Sequence, residues 1–212
     1  MQLEEAKSAS TQTVGKKAKI LASLEPVLKF PFSLVLTSEV FERFKEHNKL
    51  HERLQELFSR NRLVEEDVYA FKQVSELVSK GNFPPSLVAQ LQECFELISI
   101  DTTNLESLGK KPTHVLSLRR SLDFTDDDII SPKTVYVRNS FGDFLKAIKT
   151  VFVSCFTPTS VAARRKAKRE KFSLAIIVSR LPNIQKVIET SFHYHHNEIG
   201  RASCRERVCH RV

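Results

Sequence analysis

Phe172-Ser-Leu-Ala-Ile-Ile-Val178 is the stretch that decides the fold class. It is short, apolar and rich in β-branched residues, which is the pattern of a strand covered on both faces and therefore central in a sheet. A central strand needs neighbours, and three candidates stand upstream. Phe32 to Leu36 is a compact apolar run after Pro31, and His114 to Leu118 and Thr134 to Val137 read as two further short strands.

Helical spacing fills the intervals. Phe144 to Cys155 places Phe144, Leu145, Ile148, Val151 and Phe152 at helical intervals. Ala18 to Leu24 puts Ile20, Leu21 and Leu24 on one side, and Thr37-Ser38-Glu39 supplies capping chemistry ahead of Val40, Phe41 and Phe44. Helical periodicity continues through His51 to Phe58 and Val64 to Lys80, where Gly81 stops it. Pro84-Pro85 opens another amphipathic unit, Ser86 to Ile98, with Leu87, Leu91, Phe95 and Ile98 in register. Asp101 to Thr113 reads as a polar loop, and Leu122 to Pro132 as an irregular acidic one around Asp126-Asp127-Asp128. Helices and short strands mixed without an internal repeat exclude a helical bundle and predict an α+β or α/β chain.

The bulk properties agree. A chain of 212 residues with 41% hydrophobic and 27% charged residues is long enough to bury a core. No stretch nears the roughly 18 consecutive apolar residues of a membrane span, so no membrane partner is expected. Met1 to Thr13 lacks an apolar signal core and is expected to be disordered, with the protein in the cytoplasm. Cys94 and Cys155 sit inside apolar periodic segments and read as small buried hydrophobes.

Glu198-Ile-Gly-Arg-Ala-Ser-Cys-Arg-Glu-Arg-Val208 has the look of a translated sequencing adapter, and residues 191–212 are expected to be a non-native or disordered tail. Leaving out residues 198–212 removes four Arg and two Glu, which lowers the net charge from +8 to +6, and it removes Cys204 and Cys209. The neighbouring histidines His193, His195 and His196 are read as functionally silent, and the natural protein is expected to continue beyond them.

Much of the remaining positive charge lies in Arg164-Arg-Lys-Ala-Lys-Arg-Glu-Lys171. Aromatic residues do not interleave with these charges as a base-stacking surface requires. A solvated helix face is the better reading, and a nucleic-acid partner is not expected. Two other groups bear on chemistry. Glycine in Gly15-Lys16-Lys17 lets backbone approach a ligand closely, while its lysines and the arginines of Leu118-Arg119-Arg120-Ser121 can neutralise phosphate oxygens. Neither is a Walker loop, since the second glycine and the Lys-Ser/Thr ending are missing. Each group by itself reads better as a surface turn with ordinary charges.

The order of the segments carries more. Val14-Gly-Lys-Lys-Ala-Lys-Ile-Leu21 resembles the opening V-G-G-K-x-A-N-L of the N-terminal ATP-binding domain of the phosphoenolpyruvate synthase and pyruvate, phosphate dikinase family. Phe30-Pro-Phe-Ser-Leu-Val-Leu-Thr-Ser-Glu-Val-Phe41 is similar to its proline, apolar strand and T-x-E-A-Y/F segment, and Phe83-Pro-Pro-Ser-Leu87 to its I-P-P-x-L. Leu145-Lys-Ala-Ile-Lys149 and Val153-Ser-Cys-Phe156 resemble L-x-A-I-K and W-A-S-L-F. Thr157-Pro-Thr-Ser-Val-Ala-Ala-Arg164 resembles T-x-R-A-V-x-Y-R, and Leu174-Ala-Ile-Ile-Val-Ser179 resembles A-V-V-V-Q. The likeness spans residues 14 to 182 and places a partial dikinase-type domain at 14–190.

The resemblance implies an α+β, partial ATP-grasp-like nucleotide-binding domain with helical insertions. It implies ATP and Mg²⁺ as cofactors of a longer parent phosphotransferase that acts on a small-molecule or glycan phosphoryl acceptor. Gly15 and Lys17 match the phosphate-contacting turn, Arg119 or Arg120 falls where the V-R-S-S arginine stands, and Arg164 matches a recurrent arginine read as structural. The sequence also departs from the family. Lys16 replaces a glycine, Leu122 to Lys133 replaces a glycine-rich phosphate cover with Asp126 and Asp127 near its acidic pair, and Ser179 replaces a glutamine near the adenine. The fragment alone is expected to lack turnover, and an inactive interaction module of the same fold is the alternative.

Overall fold

The computed structural model describes residues 1–28, 30–58, 64–99, 115–124, 134–138, 140–169 and 171–181. Their order is α1 (Thr11–Leu24), β1 (Ser33–Leu36), α2 (Ser38–His47), α3 (Leu50–Phe58), α4 (Val64–Lys80), α5 (Pro85–Ser99), β2 (Val115–Leu122), β3 (Val135–Arg138), α6 (Phe141–Ser154), α7 (Pro158–Lys166) and β4 (Leu174–Leu181). The four strands form one sheet in the order β1-β4-β2-β3 with every neighbour antiparallel, so the fold is α+β. β4 is central as its composition predicts. Among the described residues no helix is long and apolar enough to cross a membrane.

Strand alternation divides the sheet into two unlike faces. Leu34 and Leu36, Leu116, Leu118 and Leu122, Val137, and Leu174, Ile176 and Val178 point into the larger core, where α2 to α6 pack. Phenylalanines fill it. The Phe41 and Phe152 ring centroids lie 4.7 Å apart, and those of Phe44 and Phe83 4.9 Å apart, both tilted pairs of the favoured kind. Truncating a wholly buried ring such as Phe152 removes about 3–5 kcal/mol. The opposite face presents Val35, Ala175 and Ile177 to α1 and to a short 3-10 turn, Glu4–Lys7.

This second layer corrects two expectations. Residues 1–13 are not disordered: Leu3 and Ala6 are buried, and Leu3 N–H bonds Ser33 C=O at 3.2 Å. The spacing of α1 also misleads about its buried side. Val14, Ala18 and Ala22 face the sheet, whereas Ile20 and Leu24 are exposed. A helix lying flat on a sheet seats its smallest residues at closest approach, so side-chain size outweighs hydrophobicity there.

α1 starts at Thr11, earlier than the predicted Ala18, and side-chain caps mark helix starts. Ser10 Oγ accepts Thr13 N–H at 3.1 Å, and Thr157 Oγ1 accepts Ser160 N–H at 3.3 Å, with Pro158 in the first turn. α4 has the bounds that periodicity gives. β2 is longer than predicted and runs on through Arg119-Arg120-Ser121 to Leu122. The predicted loop at 101–113, the acidic triplet 126–128 and the tail 191–212 lie outside the described residues.

Candidate functional site

α1 is not continuous. Gly15 takes φ +76° and ψ 160°, which breaks the helix into two segments, the second beginning at Lys16. The left-handed φ explains part of the glycine requirement. Contact explains the rest: a Cβ built on Gly15 would stand 2.3 Å from both the carbonyl oxygen and the Oγ of Ser121 on β2. Backbone of α1 thus lies directly against backbone of β2.

The hydroxyl of Ser121 completes the junction. Its Oγ accepts the N–H of Ala18 at 3.0 Å in a buried bond that joins residues 103 apart in sequence. Counted from Gly15, Ala18 N–H is the third amide of the new helical segment, the group that a capping side chain normally satisfies. Gly15 has no side chain to do so, and Ser121 does it from another element. Lys16 and Lys17 occupy the first turn, with no acidic residue there, so two cations coincide with the positive end of the helix dipole. That concentration of positive potential suits an anion. Lys16 is exposed and does not need a left-handed backbone, since Lys49 and Lys168 are the described non-glycine residues with positive φ. The loss of the family's second glycine therefore leaves the turn intact.

The two arginine candidates separate. Arg119 is paired across the sheet with Ile177 and Ser121 with Ala175, so both belong to the α1 face. Arg119 is exposed, and it stands two residues from Ser121 as Lys17 does from Gly15. Arg120 faces the other core. It is buried and donates through Nη1 to Ser154 C=O at 2.8 Å and Ser160 Oγ at 2.9 Å, tying β2 to the α6–α7 joint. Gly15, Lys17 and Arg119 are brought to one side of the sheet, and Arg120 is not among them. In the sequence Ser121 stands out only as the last residue of Leu118-Arg119-Arg120-Ser121. Its shared parity with Arg119 along β2 is the signal that marks it.

The basic segment at 164–171 is more built-in than a solvated face. Arg164 is buried, donates to Cys155 C=O, and lies 4.4 Å over the Phe172 ring. Arg165 grips the buried Asp67 carboxylate with two bonds of 2.7 and 2.9 Å. Lys166, Lys168, Arg169 and Lys171 are the exposed remainder.

A cleft of about 240 Å³ lies between α4 and α6, lined by Ser75, Ser79, Lys146, Lys149, Thr150 and Val153. It is in the helical layer, across the sheet from Gly15. Lys149 donates to Ser79 C=O at 3.0 Å there, and burial lowers its pKa. Among the described residues no three His, Cys, Asp or Glu side chains gather, so these residues do not by themselves fit a Mg²⁺ site.

These features define an α+β domain whose glycine turn rests on β2 of its sheet, with Lys17 and Arg119 on that side. Residues 11–191 match the pyruvate phosphate dikinase AMP/ATP-binding domain, and the chain is a member of that family. It is also similar to the phosphoenolpyruvate synthase of Aquifex aeolicus (strain VF5), at 25% identity over 191 residues. That alignment covers 83% of this chain and 20% of the relative, so the chain spans about one fifth of the relative's length.

Proposed function

We propose that this chain is the nucleotide-binding portion of an ATP-dependent dikinase-type phosphotransferase, and that ATP places its phosphates against the Gly15–Lys17 turn. The observation that carries the reading is the contact of Gly15 with Ser121, which sets Lys17 and Arg119 on the same side of the sheet. In this reading the backbone amides of the turn and the Lys17 ammonium meet the terminal phosphates, while Arg119 spans a second oxygen pair. The ATP-grasp-like second half of the cleft, the Mg²⁺ ligands and the group that passes phosphate to a small-molecule or glycan acceptor belong to the longer parent. Phosphoryl transfer is dominated by positioning and electrostatic stabilisation, so a chain with two or three of the required groups binds without turning over.

The test is a titration of the isotopically labelled 212-residue chain with ATP, read residue by residue by NMR. Half a cleft should bind weakly, with Kd on the order of 1 mM, equivalent to about −4 kcal/mol. Amide shifts should concentrate at Gly15–Ala18 and Ser117–Ser121 and be lost in Lys17→Ala. Shifts confined to the α4–α6 cleft would overturn the placement. No shifts at millimolar ATP would favour the inactive interaction module.

A further inference from the structure

We infer that Ser121 is a positioning residue for the phosphate-binding turn: its hydroxyl, by accepting the Ala18 amide, fixes where the turn stands relative to Arg119. This rests on the proposed nucleotide reading and adds a residue to it.

Three observations meet at Ser121. It is fully buried, so its hydroxyl is not a solvent-facing group. The Oγ accepts from Ala18 at 3.0 Å, the amide that would otherwise lack a partner at the start of the second segment of α1. The Gly15 Cα approaches until a Cβ would overlap Ser121 Oγ and O at 2.3 Å. The first two residues after Gly15 are the lysines. Two residues before Ser121, on the same face of β2, is Arg119. Beside the apolar packing of Val14, Ala18 and Ala22, the hydroxyl thus ties the lysine-bearing turn to the arginine-bearing strand, without itself reaching the ligand. The bond fixes the turn against the strand before any anion arrives, which is preorganisation.

Ser121→Ala removes the acceptor with little change of volume, and Ser121→Thr keeps it. Native-state hydrogen exchange on the 212-residue chain reads the anchor directly. In Ser121→Ala, protection at Ala18 should fall by about tenfold, the scale of a lost helix cap, while β4 interior amides keep theirs. In the ATP titration, Ser121→Ala should weaken binding several-fold, Ser121→Thr should restore it, and the alanine change should add nothing once Lys17→Ala is present. A purely structural serine would give additive losses instead. Unchanged exchange at Ala18 would overturn the inference, as would lowered protection with undiminished ATP affinity. If the unaltered chain shows no ATP shifts, the nucleotide reading fails and exchange still decides the anchor. Should Ser121→Ala not fold, Ser121→Cys, with a weaker acceptor of similar size, gives the same comparison in graded form.

Discussion

Arg119 and Arg120 are adjacent in sequence and opposite in role: the first is exposed on the α1 face of the sheet, the second is buried in the helical core. Strand alternation imposes this, because two consecutive arginines on one strand project to opposite sides of the sheet. Arg120→Ala should destabilise the protein by about 2–4 kcal/mol, since charge-assisted bonds to Ser154 C=O and Ser160 Oγ are lost from a buried site. Arg119→Ala should leave the urea midpoint nearly unchanged and weaken the ATP-induced NMR shifts. The reverse pattern would show that the register of β2 is misassigned.

Gly15→Ala should lower stability by at least about 2 kcal/mol, more than an ordinary glycine change, because the left-handed φ of 76° and the steric overlap act together. Ser121→Gly in the same chain should not rescue it. Two of the three closest atoms are the Ser121 carbonyl oxygen and carbon, which every residue carries. Chemical denaturation of the single and double variants checks this. Full rescue would mean that the hydroxyl alone makes the close contact.

Local signals made much of this fold readable. The apolar run at 172–178 announced the central strand, and Gly81 and Pro84-Pro85 marked the end of α4 and the start of α5. What the sequence hid was long-range. The buried side of α1 depends on how near the sheet comes, and Ile20 and Leu24 look more core-like than Ala18 and Ala22 until that distance is known. The order of Leu3 and Ala6 depends on an edge strand that lies about thirty residues away. The candidate site was legible as residue types, Gly15, Lys17 and two arginines. Choosing between the arginines needed the parity of a strand whose end lay beyond its predicted boundary at Leu118.

The basic segment allows a similar division. Asp67→Ala should destabilise the protein by about 1–3 kcal/mol, because it leaves the partly buried Arg165 without its two-bonded carboxylate. Neutralising the exposed Lys166, Lys168 and Arg169 together should change stability by less than about 1 kcal/mol. Thermal unfolding of both variants provides the comparison. Equal effects would restore the view of this run as one uniform solvated face.

The thiols provide a test of burial that does not involve the site. Cys94 is half-buried on α5, and desolvation raises its pKa above the ordinary thiol value, so the reactive thiolate is scarcer at neutral pH than in a free cysteine. Cys155 is completely buried at the end of α6 and donates to Val151 C=O at 3.7 Å. Peptide-resolved alkylation with iodoacetamide should therefore show Cys94 reacting more slowly than a free thiol at pH 7 and accelerating as the pH is raised. Cys155 should react only as fast as the domain opens, at a rate insensitive to the pH of the thiol itself once opening is limiting. Because the two cysteines flank the phenylalanine core from α5 and α6, protection lost at Cys155 in Arg120→Ala but retained in Arg119→Ala would tie the buried arginine to the integrity of that core. Equal alkylation of Cys155 in both variants would separate Arg120 from it.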